Sequence, residues 1–228
     1  ANERRALFFA FIAFLLIAGL YESQIGLLIF GSLLIAGALT LDNGFRKIVL
    51  DTLSISAYII GLVLIITGLS EFRVDEPNMA WLCMAIAFVT LCIVRGYMLA
   101  FFSVLIICGC ILYLLIDAKQ YDFIHLYVIG LAFLMTYLFL QEAKVITAKK
   151  SFARRYNPLR IGLIFSFIAG ILFLSKQGLF PVSYEYIWIS SIFIIAIILY
   201  FIGRIIPIFG LTNKGTKTII YLLAALAL

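Results

Sequence analysis

The sequence predicts an all-α fold: a polytopic transmembrane helix bundle of eight full spans with a ninth, partial or truncated one, forming a single domain over residues 1–228. Three observations predict it. Of the 228 residues, 65% are hydrophobic and only 12% charged, with a mean hydropathy of +1.20, and a soluble chain of this size needs more charge to cover its surface. The charges fall between apolar runs close to the roughly 20 residues a helix needs to cross the hydrocarbon core. Alternate connections between those runs collect nearly all the positive charge.

The elements follow from the hydropathy pattern. A first apolar run, 6–20, lies behind Arg4 and Arg5, and a short Tyr21–Gln24 turn leads to a second, 25–41. The run behind two arginines has the form of a signal peptide, but it lacks a small-residue cleavage site and pairs with the second span, so it reads as a helix. Asp42-Asn43-Gly44-Phe45-Arg46-Lys47 precedes a third span, 48–70, and a polar stretch from Glu71 to Asn78 leads to a fourth, 79–94. Residues 79–116 contain a single charge, Arg95. A continuous helix of that length, at about 1.5 Å per residue, would be nearly twice the thickness of the core. The expectation is therefore two helices hinged at Arg95-Gly96, the second covering 97–116. A sixth span, 123–141, follows the Asp117–Asp122 turn. The long basic connection 142–160 leads to a seventh, 161–175, and an eighth covers 187–206. The last run, 218–228, is too short to cross. The chain starts without Met and stops inside this run, which reads either as part of a longer protein or as a half-helix. Lipid-facing backbone must be satisfied within its own segment, and the runs do not alternate as barrel strands do, so the spans are helices.

The charge distribution tests this layout. Arg4, Arg5, Arg46, Lys47, Arg95, Lys144, Lys149, Lys150, Arg154, Arg155, Arg160, Arg204, Lys214 and Lys217 fall on the N-terminal side, against Arg73, Lys119 and Lys176 opposite, fourteen of the 17 basic residues. Seven of the 11 acidic residues lie on the other side: Glu22, Glu71, Asp75, Glu76, Asp117, Asp122 and Glu185. By the positive-inside rule the N-terminus is cytoplasmic and the protein sits in a cell membrane, of the bacterial inner-membrane type. The net charge of +6 is then mostly a topology signal, and neither nucleic acid nor an acidic partner is needed to explain it.

Candidate functional residues are few. Asp51, Ser54 and Tyr58 form a polar stripe at helical spacing, thickened by Thr52 and Ser56. A carboxylate inside a membrane is a functional candidate because burying it is costly. Asp51 also stands four residues after Lys47, the spacing of an interfacial ion pair. Gly162, Ser166 and Gly170 repeat every four residues and suit close helix packing, either inside the bundle or between copies. Lys149, Lys150, Arg154 and Arg155 belong to a basic segment suited to anionic lipid headgroups, at about 1 kcal/mol per charge near the surface, or to a cytoplasmic partner. Asp122 and His125 have the spacing of two metal ligands, and the external acids Glu71, Asp75 and Glu76 are the candidates to complete a set; nothing in the sequence brings these loops together and the chain has one His, so the expectation is no metal. Arg95, Arg204 and Gln141 read as helix ends. The four cysteines, Cys83, Cys92, Cys108 and Cys110, lie inside spans and read as packing residues; Cys108 and Cys110 point about 200° apart on a helix and cannot share an ion.

No G-x-S-x-G, H-E-x-x-H or phosphate-binding loop is present, and no His pair for haem. No cofactor is expected, and an enzyme is not favoured. Segments such as Leu33-Leu34-Ile35-Ala36-Gly37 and Ile111-Leu112-Tyr113-Leu114-Leu115 give the chain a texture that resembles uncharacterised bacterial polytopic inner-membrane proteins of unknown function. That resemblance implies no site residue. The readings that remain are transport of a small solute or ion, slightly preferred for the number of spans; a non-catalytic accessory or scaffold subunit with a membrane partner or in a homo-oligomer; and a lipid-modifying enzyme using Glu71–Glu76 and Asp122–His125.

Overall fold

A computed structural model describes residues 23–44, 48–94, 96–142, 150–175, 187–205 and 218. Among these residues the regular structure is all helix, in seven helices: α1 (Gln24–Gly44), α2 (Ile48–Glu71), α3 (Glu76–Ile93), α4 (Tyr97–Asp117), α5 (Tyr121–Leu140), α6 (Lys150–Ser175) and α7 (Ile187–Ile205). Six of them, α1 to α6, are long and apolar enough to cross a membrane. The expected eight full spans and a ninth are not supported among the described residues. The apolar stretch of α7, Ser191–Arg204, is shorter than a full span, and the runs at 6–20 and 218–228 lie, apart from Thr218, outside the described residues.

In both units the helices expose large apolar side chains, among them Ile29, Leu33, Val63, Trp81, Phe88, Phe165, Leu172 and Trp188. In water that surface would drive aggregation; in a bilayer it is the lipid-facing side of the helices.

The hinge expected at Arg95-Gly96 is present: α3 ends at Ile93, Val94 is extended with ψ 146°, and α4 starts at Tyr97. The helix expected over 161–175 begins eleven residues earlier, at Lys150, and carries Pro158 inside it. Hydropathy follows the apolar part of a helix and misses a polar first turn, so half of the supposed connection is helical.

Two turns share one design. Arg73 and Lys119 have φ of 54°, and the N–H groups of Arg73 and Val74 donate to Ser70 and Leu69 (3.0 and 3.2 Å) as those of Lys119 and Gln120 donate to Ile116 and Leu115 (3.0 and 3.1 Å). Each is a Schellman C-cap with a basic residue where glycine is usual. A cation there is favoured by the helix dipole, which gives two of the three exceptions to the charge asymmetry a local role.

The chain forms two compact units, one of residues 1–114 and 145–163, the other of 115–144 and 164–228. In the first, α1 and α2 form a tight antiparallel hairpin. A β-carbon on Gly31 would stand 2.8 Å from the Gly61 carbonyl oxygen, and one on Gly61 would stand 2.9 Å from that of Gly31, so only glycine lets the backbones meet. Ile35, Ala38, Tyr58, Leu62, Ile65, Val94, Leu99 and Ala100 build the core. In the second unit, α5 packs on α7 through Phe133, whose ring centroid is 5.5 Å from that of Phe201 and 6.1 Å from that of Tyr200. A cavity of about 420 Å³ beside this cluster, lined by Leu126, Phe133, Phe193 and Tyr200 among others, is apolar.

Candidate functional site

Polar groups inside the first unit concentrate where α2, α3 and α4 face one another. On α3, Glu76, Cys83 and Thr90 are spaced by seven residues, and on α4 so are Ser103 and Cys110. A seven-residue step keeps side chains on one seam between packed helices. Antiparallel pairing then sets Thr90 with Ser103, Cys83 with Cys110, and Glu76 with Tyr113. Tyr113 donates its hydroxyl proton to the Glu76 carboxylate. The two thiols line one cavity of about 470 Å³ with Met79, Ala80, Ile106, Leu62 and Ile66.

Tyr58 of α2 stands at the inner end of this seam. Its side chain is fully buried, and so are Ser54, Thr90 and Ser103. Thr90 and Ser103 lie beside its hydroxyl; Ser103 Oγ gives its proton to the Leu99 carbonyl of its own helix at 2.8 Å and keeps only acceptor capacity. The Tyr58 hydroxyl has no hydrogen-bond partner among the described residues. A buried hydroxyl left unpaired costs about 1–3 kcal/mol, so a native structure keeps one only for a reason.

The end of the seam away from Glu76, at the α3–α4 hinge, is closed by charged side chains from other helices. Asp42, near the end of α1, accepts the Gly96 N–H through Oδ2 at 2.8 Å, placing its negative charge at the N-terminus of α4, where the dipole favours it. A β-carbon at Gly96 would collide with that carboxylate. Arg155 of α6 donates from Nε to the Val94 carbonyl at 3.1 Å, satisfying a group the end of α3 leaves free. Glu76 and Val94 are eighteen residues apart, about 27 Å along a helix and close to the roughly 30 Å of a hydrocarbon core. Polar groups thus mark both ends and the interior of one membrane-length seam.

The structure separates the stripe expected from sequence. Ser54 donates to the Ala38 carbonyl at 2.8 Å and so ties α2 to α1. Tyr58 alone reaches the seam. Asp51 is half-buried at the other end of the stripe, and Lys47, its expected partner, lies outside the described residues. The small-residue seam is used within the units. A β-carbon on Gly162 would stand 2.8 Å from Val104 Cγ1 in the first, and one on Gly170 would stand 2.8 Å from Val128 Cγ2 in the second; Ser166 is buried. Of the basic set, Arg155 is turned to the Val94 carbonyl. Lys149 and the side chains of Lys150 and Arg154 lie outside the described residues, as does the side chain of Asp122. His125 is half-buried, and no three His, Cys, Asp or Glu side chains converge as a metal site among the described residues. The heptad spacing on α3 and α4 was the available sequence signal for the seam. It is hidden because Cys and Thr score as apolar or neutral in a hydropathy scan.

Several apolar helices of membrane length, lipid-facing surface and an internal polar seam define a multi-pass helical membrane protein. Residues 5–228 match a family model described as a domain of unknown function, DUF4401, and the chain belongs to that family. No curated protein and no solved structure matches it.

Proposed function

We propose that the protein moves a small polar solute or ion along the α2–α3–α4 seam. The observation that carries this reading is the unpaired Tyr58 hydroxyl, buried at the inner end of a line of polar side chains. A hydroxyl that protein atoms leave unsatisfied is a binding group for something that comes and goes, and Thr90 and Ser103 add hydroxyls beside it. Broken helices with polar groups at their ends are a recurring way to line a path in a bilayer. The hinge between α3 and α4, held by Asp42 and Arg155, is such a break.

The charge asymmetry assigns the Gly96 end to the cytoplasm and the Glu76 end to the outside. The basic segment around Lys149, Lys150 and Arg154 then meets anionic headgroups on the cytoplasmic face.

Reconstitution into liposomes tests the reading. Light-scattering traces with glycerol, urea and small monovalent salts should show faster equilibration than in empty vesicles for at least one solute, and Tyr58→Phe should remove the difference. Wild-type traces matching those of empty vesicles for every solute, or a Tyr58→Phe protein as active as wild type, would refute it.

A further inference from the structure

The cavity beside Tyr58 holds sulfur from three residues. Met79 and Cys83 are four residues apart and share one face of α3, and Cys110 faces them from α4; all three line the same space of about 470 Å³. The other two cysteines lie elsewhere: Cys92 is exposed on the outer surface of α3, and Cys108 is buried on another face of α4. Sequence spacing sets Cys108 and Cys110 on different sides of one helix, whereas the fold places Cys83 on the same cavity as Cys110.

We propose that Cys83, Cys110 and Met79 form a binding site for one soft monovalent metal ion, copper(I) being the biological case. The ligand chemistry selects the ion. Two thiols and a thioether are soft donors that favour copper(I). Structural zinc asks for four nitrogen or sulfur ligands, and no third His, Cys, Asp or Glu joins the two thiols among the described residues. Magnesium and calcium ask for oxygen. Copper(I) accepts two or three ligands in low symmetry, which is what two facing helices can offer. Leu62, Ile66, Ala80 and Ile106 give the cavity apolar wall beside the sulfurs, and Glu76 and Tyr113 complete its lining. At the Glu76 end, the carboxylate holding Tyr113 gives an incoming cation its first attraction.

Binding is a simple exchange. Each thiol that ligates the ion passes its proton to solvent, two sulfur–copper bonds form, and no oxidation state changes. With both thiolates formed, the complex carries one net negative charge. The site does not depend on the transport reading: an ion bound by a protein that moves nothing would still establish it.

The test is anaerobic titration of the full chain, purified in detergent under reducing conditions, with copper(I) held by a coloured chelator. Wild type should withdraw one equivalent, and so should Cys92→Ser and Cys108→Ser. Cys83→Ser and Cys110→Ser should each withdraw none, and Met79→Leu should surrender its ion at lower chelator concentration than wild type. X-ray absorption of the loaded wild type, which needs no variant to fold, should show an all-sulfur shell. A wild type that takes no copper, a Cys83→Ser protein that keeps it, or a shell of nitrogen and oxygen would each overturn the proposal. So would a reduced protein that ignores copper yet links Cys83 to Cys110 on oxidation, since that is a dithiol pair and not a metal site.

Discussion

The two hairpins of the first unit are built from similar material and packed in opposite ways. In α1–α2, Gly31 and Gly61 bring the backbones into contact, Ser54 spans them to the Ala38 carbonyl, and apolar side chains close the rest. In α3–α4, no comparable run of close backbone approach exists among the described residues. Cysteines, hydroxyls and the Glu76–Tyr113 pair occupy the seam, and a cavity remains beside them. The first hairpin spends its polar groups on closure; the second keeps one polar group, Tyr58 delivered from α2, without a protein partner. The difference teaches that a membrane bundle can place a rigid scaffold and an open, wettable seam side by side.

The largest expected effect breaks the scaffold. Gly31→Leu or Gly61→Leu forces a side chain against the facing backbone, and overpacking of this kind costs about 3 kcal/mol or more. Size-exclusion profiles should show loss of the monodisperse protein. A smaller effect is expected where the second hairpin is held open. Gly96→Ala drives a methyl group into the Asp42 carboxylate and should cost about 1–3 kcal/mol, with Asp42→Ala losing about 0.5–2 kcal/mol as a missing cap; Asp42→Asn should recover most of that. Thermal unfolding in detergent checks the order. Tyr58→Phe sharpens the comparison by separating stability from activity. Removing an unpaired hydroxyl should leave the unfolding temperature unchanged or raise stability by about 1 kcal/mol, while any flux is lost. The smallest effect concerns the turns on either side of the second hairpin. Arg73→Gly and Lys119→Gly trade relief of a left-handed backbone against a lost charge–dipole interaction, so each should shift stability by no more than about 0.5–1 kcal/mol.

Much of this architecture was legible in the sequence. The break at Arg95-Gly96 followed from span length alone, and the ranges of α2 and α4 from hydropathy, because both depend on composition over a window. The start of α6 at Lys150 was not legible, since its first turns are polar, and α7 has an apolar stretch shorter than a full span. Ser54 and Tyr58 were legible as polar positions on one helix, but their different fates were not: Ser54 meets α1, while Tyr58 meets α3 and α4, and those neighbours come from tertiary packing. Cys83 with Cys110 was hidden for the same reason. Two residues twenty-seven positions apart become neighbours only once the hairpin turns at Gly96.

Thiol accessibility in native membranes tests the central claim, a wettable seam between α2, α3 and α4, without knowledge of any substrate. Each cysteine is left as the only one in the chain and exposed to a small, charged, water-soluble methanethiosulfonate. Cys110 and Cys83 should react, while Cys92, exposed but facing lipid, and Cys108, buried away from the seam, should stay inert. Reaction at Cys92 with Cys83 and Cys110 protected would contradict it, because water would then reach the outside of the bundle and not its seam.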